Sequence, residues 1–237
     1  MRLVAGIAEK MASNQKQIAI SEFFEKNKHF LGFDSLPRSI ITAVKEAVDN
    51  SLDACEEARI LPDIHIKISK IDSKKDILEL VSEDNGPGIP QTSIEKVFGQ
   101  LLFGSRFHAI RQSRGQQGIG ITGVVMYSQL TTGKPTHVLS KIASEPTATS
   151  VKIGLDTRKN KAVKSEQNRI IWENEDLTLK EHGLRVTTRM KGKYQRGRQS
   201  VFQYLRMTSI VNPHAEITFI DPDGERFHSP RVTERLP

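Results

Sequence analysis

The spacing of apolar residues changes period several times along the chain, and each change predicts a new element. Ile40, Ile41, Val44, Ala47, Val48, Leu52 and Cys55 recur at three- and four-residue intervals and fall on one face of a helix. Asp34 and Ser35 supply its start, and Pro37 suits its first turn, where the absent N–H loses no hydrogen bond. Cys55 reads as core packing on that face. A shorter helix precedes it near Ser21 to Lys26. Ile64-His65-Ile66-Lys67-Ile68-Ser69 alternates with period two, as a strand with one buried face does, and Ile77 to Val81 resumes after a charged turn to make a hairpin. Asn85-Gly86-Pro87-Gly88 then interrupts regular structure, Pro90 opens a helix through Phe98, and Gly118 to Leu130 reads as a helix with a glycine-rich entrance. His137 to Ile142, Thr149 to Leu155, Arg169 to Trp172 and Leu184 to Met190 read as strands. A helix from Gln199 to Val211 and a closing hairpin, Glu216 to Ile220 with Arg226 to His228 around Asp221-Pro222-Asp223-Gly224, complete the pattern. Strands and helices grouped in runs predict an α+β fold whose mixed, mostly antiparallel sheet carries helices on one face.

Composition narrows the class. With 237 residues, 37% hydrophobic and 27% charged, the chain has the make-up of one full-sized globular domain. No run of about 18 apolar residues occurs, and Glu9 and Lys10 interrupt the apolar patch at the start before a signal-peptide core could form. Residues 1–17 read as an N-terminal extension or arm, and residues 18–237 as the domain. The single cysteine excludes an internal disulfide and agrees with a reducing, cytoplasmic setting. The net charge of +7 favours polyanionic partners without identifying one. The densest basic stretch, Arg189, Lys191, Lys193, Arg196 and Arg198, reads either as a phosphate contact or as a solvated connection.

Three polar features carry candidate chemistry. At about 100° per residue, Glu46, Asn50 and Asp53 fall in one narrow sector opposite the apolar stripe. One turn apart, a Glu46 carboxylate that takes a proton from water and an Asn50 amide oxygen that ligates Mg²⁺ would form a working pair, although a solvated helix face shows the same pattern. Asp84-Asn85-Gly86-Pro87-Gly88 follows a strand, and its glycines permit close backbone approach while Asp84 can accept a hydrogen bond from an exocyclic amine. An ordinary acidic turn reads the same way. Arg114-Gly115-Gln116-Gln117-Gly118-Ile119-Gly120 precedes an apolar helix and can turn N–H groups toward phosphate oxygens, or serve as a plain turn. No Walker P-loop and no Gly-x-Gly-x-x-Gly dinucleotide motif occurs.

Taken in order, Glu46-x-x-x-Asn50, Asp84-x-Gly86-x-Gly88 and Gly115-x-x-Gly118-x-Gly120 resemble the motifs of the GHKL, or Bergerat-type, ATPases. Ser21-Glu22-Phe23-Phe24, Leu31-Gly32-Phe33, Glu46 to Ala54, Ile60-Leu61-Pro62, Phe98-Gly99 and Met126-Tyr127-Ser128-Gln129 look like the B-subunit family of archaeal-type DNA topoisomerase VI within that group. The resemblance runs from about Ile18 to the C-terminus. It implies a two-layer sandwich, ATP and Mg²⁺ as ligands, Glu46 as general base, Asn50 as the Mg²⁺ ligand and Asp84 as reader of the adenine amino group. Gly88, Ser105 and Arg106 would contact nucleotide, and Arg114, Gly115, Gln116, Gln117, Gly118, Ile119, Gly120 and Ile121 would wrap the phosphates. Arg106 stands where the family can have lysine, and Ile121-Thr122 where some relatives have Val-Lys, which leaves the Thr122 hydroxyl as a weaker phosphate donor.

The same resemblance implies a lid at residues 99–117 and an ATP-dependent homodimer in which the segment around Gln15 to Ile20 exchanges between protomers. That dimer would gate double-stranded DNA in an A2B2 heterotetramer with a topoisomerase VI A subunit, which holds the cleavage residues, and so drive supercoil relaxation. The family's helical and transducer domains would follow Pro237, so the chain reads as a fragment or truncated member that binds ATP and hydrolyses it poorly. Two other readings stand beside this one. The first is a non-catalytic, ATP-dependent clamp or adaptor. The second is a GHKL protein kinase, which lacks a visible phosphoacceptor-histidine helix.

Overall fold

The computed structural model describes residues 20–99, 120–156, 161–174 and 178–237. The predicted long helix is α2, Leu36–Glu57, preceded by α1, Ile20–Asn27. Pro37 stands in the first turn of α2, and the Ser39 hydroxyl donates back to the Ser35 carbonyl at 2.8 Å. The hairpin follows as β1, Asp63–Asp72, and β2, Ile77–Asp84, and then α3, Gln91–Gly99, and α4, Gly120–Thr132. Next come β3, Thr136–Lys141; β4, Ala148–Asp156; β5, Lys161–Ile170; and β6, Gly183–Lys191. Helix α5, Val201–Val211, and a last hairpin of β7, Glu216–Ile220, and β8, Arg226–Ser229, close the order. Ser200 caps α5, its side chain accepting from the Gln203 N–H at 3.2 Å, so a local hydrogen bond sets that start.

These strands form one sheet in the order β5-β4-β3-β6-β2-β1-β7-β8, antiparallel throughout except where β1 pairs with β7. This is the expected mixed, mostly antiparallel α+β sandwich. Along β2 every second residue is buried: Leu78, Leu80, Ser82 and Asp84. Those side chains share the helix-covered face with Ile64, Ile66 and Ile68 of β1, and the same core takes in Ile40, Val44, Val48 and Leu52 of α2. Fully burying each such apolar side chain stabilises the fold by about 1.5–3 kcal/mol, and nearly the whole predicted stripe of α2 is used in this way.

The structure departs from the expected pattern at β5. Residues Arg169 and Ile170 end a strand that begins at Lys161, and Trp172 lies beyond it. Edge position explains why the pattern hides this strand. Val163 and Ile170 are both exposed, no face alternates, and among the described residues β4 is its only strand partner. Trp172 is buried instead in a small separate cluster with Leu139 and Ala148.

Candidate functional site

Helix α2 is buried on more than one side, and its polar residues are therefore placed rather than merely solvated. Asp49, Ser51 and Asp53 are all buried, and Glu46 and Asn50 are partly so. The Asp49 carboxylate is held by Lys45 at 2.6 Å and by the Tyr204 hydroxyl of α5 at 2.9 Å. Two sequence-predicted features meet this helix at different heights.

The first meeting is with the end of β2. The Ser51 hydroxyl donates to Asp84 Oδ2 at 2.6 Å, and the Gly86 N–H donates to Asp84 Oδ1 at 2.9 Å. Among the described residues no cation makes a hydrogen bond to this carboxylate, and burial pushes its pKa above the usual range even though both donors pull the other way. Each oxygen keeps a second lone pair for a further donor. The backbone around Asp84 is packed too tightly for side chains at two glycines. Gly88 has φ +73°, and a Cβ there would run into the Lys141 carbonyl; a Cβ on Gly183 would stand 2.6 Å from the Asp84 carbonyl oxygen. Ile89 is pinned across to β3, its N–H donating to Ser140 Oγ at 2.7 Å and its carbonyl accepting from the same hydroxyl at 2.9 Å.

The second meeting is with the start of α4. A Cβ on Gly120 would collide with the Glu46 carboxylate, so the first turn of α4 lies against that group. Burial is the largest influence on Glu46 and raises its pKa, helped by the negative charge of Asp49 and opposed by Lys45. A carboxylate with a raised pKa is a stronger base than one in water. The unpaired N–H groups at the start of a helix favour anionic oxygens. Glu46 and Ser51 are five residues apart, about 7.5 Å along the axis. Ser51 also sits about 140° around the helix from Glu46, so a ligand that touched Asp84 with one end and the start of α4 with the other would run obliquely across α2.

Of the predicted site residues, Glu46 lies against Gly120 and Asp84 against Ser51 of the same helix, Asn50 is partly buried one turn from Glu46, and Gly88 packs against the Lys141 carbonyl. Ile121 packs its side chain against the main core. The Thr122 hydroxyl, expected as a weaker phosphate donor, is buried and donates to the Val97 carbonyl at 3.4 Å. Helix α4 is buried without a break from Thr122 to Ser128, so a small polar residue there turns inward. Ser105, Arg106, Arg114, Gly115, Gln116, Gln117, Gly118 and Ile119 lie outside the described residues, as do residues 1–19 and nearly all of the segment read as a lid. Among the basic stretch, Arg189 pairs with Glu79 at 2.7 Å and Arg196 with Asp221 at 2.7 Å, so two of its five charges are engaged within the fold.

Sequence reasoning misses a second group, behind Asp84. Glu83 points to the other sheet face, where it pairs with Lys180 and, at 2.5 Å, with Arg185. His182 Nδ1 lies 2.9 Å from the Gly86 carbonyl oxygen. The strand alternation of β2 signals that Glu83 faces away from Asp84, but nothing local announces partners about a hundred positions later in the chain.

The family model for histidine kinase-, DNA gyrase B-, and HSP90-like ATPases matches residues 35–193. Among curated relatives, the B subunit of type 2 DNA topoisomerase 6 from Archaeoglobus fulgidus is 53% identical over 228 residues, 96% of this chain and 36% of that protein. The protein of the same name from Methanococcoides burtonii is 51% identical over 236 residues, 99% of this chain and 37% of that one. The chain thus spans somewhat over a third of the length of these relatives. Two solved structures share the fold at low identity. The ATPase domain of Thermus thermophilus gyrase B, in complex with an aminocoumarin, gives a TM-score of 0.56 at 16% identity and covers 88% of this chain and 50% of that one. The ATPase region of Saccharomyces cerevisiae topoisomerase II gives 0.56 at 13%, covering 91% and 62%. With the family model spanning well over half of its length, the chain belongs to the histidine kinase-, DNA gyrase B- and HSP90-like ATPases.

Proposed function

We propose that this chain is the ATP-binding and ATP-hydrolysing module of a type II DNA topoisomerase, the counterpart of the topoisomerase VI B subunit. The observation that carries the proposal is the alignment on α2 of a buried carboxylate held by neutral donors, Asp84, with a partly buried base, Glu46, set against the start of α4. Asp84 accepts the exocyclic amine of adenine on the lone pairs left by Ser51 and Gly86. The N–H groups at the start of α4 receive phosphate oxygens. Glu46 takes the proton from the water that attacks the terminal phosphate, and its raised pKa strengthens it for this.

Magnesium fits this donor set. Mg²⁺ binds few protein oxygens and completes its shell with phosphates and water. Among the described residues no group of three or more His, Cys, Asp or Glu is arranged as a cage, and the Asn50 amide oxygen, one turn from Glu46, supplies a single hard donor. When bound, the ion neutralises charge on the phosphates. Asn50 would hold it, and Glu46 would stay available for the water.

In this reading nucleotide binding brings two copies of the chain together to gate double-stranded DNA, in an A2B2 assembly with an A subunit that cleaves it. The curated relatives are named as B subunits of a DNA topoisomerase, which supports both the partner and the DNA substrate. Among the described residues no helix is long and apolar enough to cross a membrane, and a cytoplasmic setting suits a DNA-processing enzyme. The test is phosphate release alongside nucleotide binding for the unchanged chain and for Glu46→Ala. Glu46→Ala is expected to bind ATP as before and to lose release by about a hundredfold or more. Loss of binding together with release would remove Glu46 from the role of base. An unchanged chain that dimerises on ATP without any release would turn the reading to a non-catalytic clamp.

A further inference from the structure

Residues on the far side of the sheet grip the strand end that carries Asp84. In the connection from β5 to β6 the described flanks pair with each other, Glu173 bridging Leu179, the Asn174 N–H donating to the Thr178 carbonyl at 2.8 Å and the Lys180 N–H donating to the Trp172 carbonyl at 2.8 Å. Trp172 anchors it on β3 and β4 through Leu139 and Ala148. The Lys180 ammonium and the Arg185 guanidinium lie 4.9 and 5.2 Å from the centre of the Trp172 ring, and both cations pair with Glu83. Glu83 and Arg185 are also direct cross-strand partners in the β2–β6 ladder. The next residues reach the loop itself. Lys141 Nζ donates to the Glu181 carbonyl at 3.2 Å, His182 Nδ1 meets the Gly86 carbonyl at 2.9 Å, and Gly183 packs onto the Asp84 carbonyl.

We infer that the segment leading into β6, through Lys180 and His182, is a positioning element for Asp84 and sets how strictly the site selects a 6-amino purine over a 6-oxo purine. The inference rests on the proposed reading of Asp84 as the adenine-reading group. The path is short. The Gly86 N–H fixes Asp84 Oδ1, and the Gly86 carbonyl is fixed in turn by His182; Gly86 precedes Pro87, so its flanking peptide has no N–H of its own to hold it. One residue upstream, Glu83 is clamped by two cations on the opposite face. Asp84 is thus held between two anchored neighbours, and its carboxylate has little freedom to turn toward a ring donor in place of an amine. His182 and Lys180 touch no nucleotide in this arrangement, and they act only through the loop.

The experiment measures ATP and ITP affinity by calorimetry for the full chain and for His182→Ala, His182→Asn and Lys180→Met, with a thermal melt of each. An asparagine amide can place a donor where Nδ1 stands, so His182→Asn is the conservative variant. The unchanged chain is expected to prefer ATP. His182→Ala is expected to weaken ATP by about five- to tenfold while leaving ITP nearly unchanged, with His182→Asn restoring most of the preference and Lys180→Met giving a smaller loss of the same kind. A merely structural role would lower the melting temperature, or weaken both nucleotides alike, without moving the ATP-to-ITP ratio. Folded His182→Ala and Lys180→Met variants with an unchanged ratio would overturn the inference alone. An unchanged chain that does not prefer ATP would overturn both the inference and the adenine-reading role of Asp84.

Discussion

Glu83 and Asp84 are neighbours in sequence, yet the two faces of the sheet treat them in opposite ways. On the open face, burial would raise the Glu83 pKa, but the hydrogen bonds and charges of Lys180 and Arg185 outweigh it and hold the carboxyl below its usual range. On the helix face, Asp84 is held among the described residues by a hydroxyl and a backbone N–H, and burial wins. A carboxylate matched by two cations contributes to the fold. A buried carboxylate held by neutral donors, with lone pairs to spare, is costly to the fold and suited to a ligand. The difference separates a group matched within the fold from one that keeps hydrogen-bonding capacity for a ligand.

Substitutions can break this comparison in order of expected effect. Asp84→Asn is expected to weaken ATP by about a hundredfold or more, because the amide presents a donor to the adenine amine. It should melt no lower than the unchanged chain at pH 8, since it removes a buried charge whose cost grows with ionisation. Glu83→Gln is expected to cost about 3 kcal/mol of stability at neutral pH, by leaving two cations against Trp172 without their anion. The pH dependence of the two carboxyls' contributions to stability should differ in sign. Asp84 binds its proton more tightly folded than unfolded, so its contribution to stability falls as pH rises from the ordinary carboxylate range through its raised folded pKa. Glu83 binds its proton less tightly folded, so its contribution is present above the ordinary range and is lost as pH falls through the lowered value. Melting of Glu83→Gln and of the unchanged chain should therefore converge in acid. Ser51→Ala is expected to weaken ATP about fivefold by freeing one oxygen of Asp84. Tyr204→Phe should cost about 1 kcal/mol of stability through Asp49 and leave ATP affinity as it was.

The fold is largely legible in the sequence because its core elements keep strict periods. The α2 stripe and the alternation of β1 and β2 predict which faces are buried, and they are buried. β5 is half hidden because an exposed edge strand has no apolar face to alternate. The site is legible in its motifs and not in its contacts. Asp-Asn-Gly reads as a turn until Ser51, 33 positions earlier, is found bonded to Asp84. Thr122 reads as a phosphate donor because its neighbours fit a glycine-loop pattern, while the continuous burial of α4 turns it toward Val97. Lys180 and His182 carry no motif at all, since their contacts are with a strand end about a hundred residues earlier.

The most direct test of the account is a calorimetric titration of Mg²⁺-ATP into the unchanged chain and into Asp84→Asn, each verified as folded by its melt. The account predicts saturable binding of one ATP per chain by the first and loss of that binding by the second, at an equal or higher melting temperature. Equal ATP affinity in the two proteins would contradict it, because the buried carboxylate at the end of β2 would then have no part in holding the nucleotide.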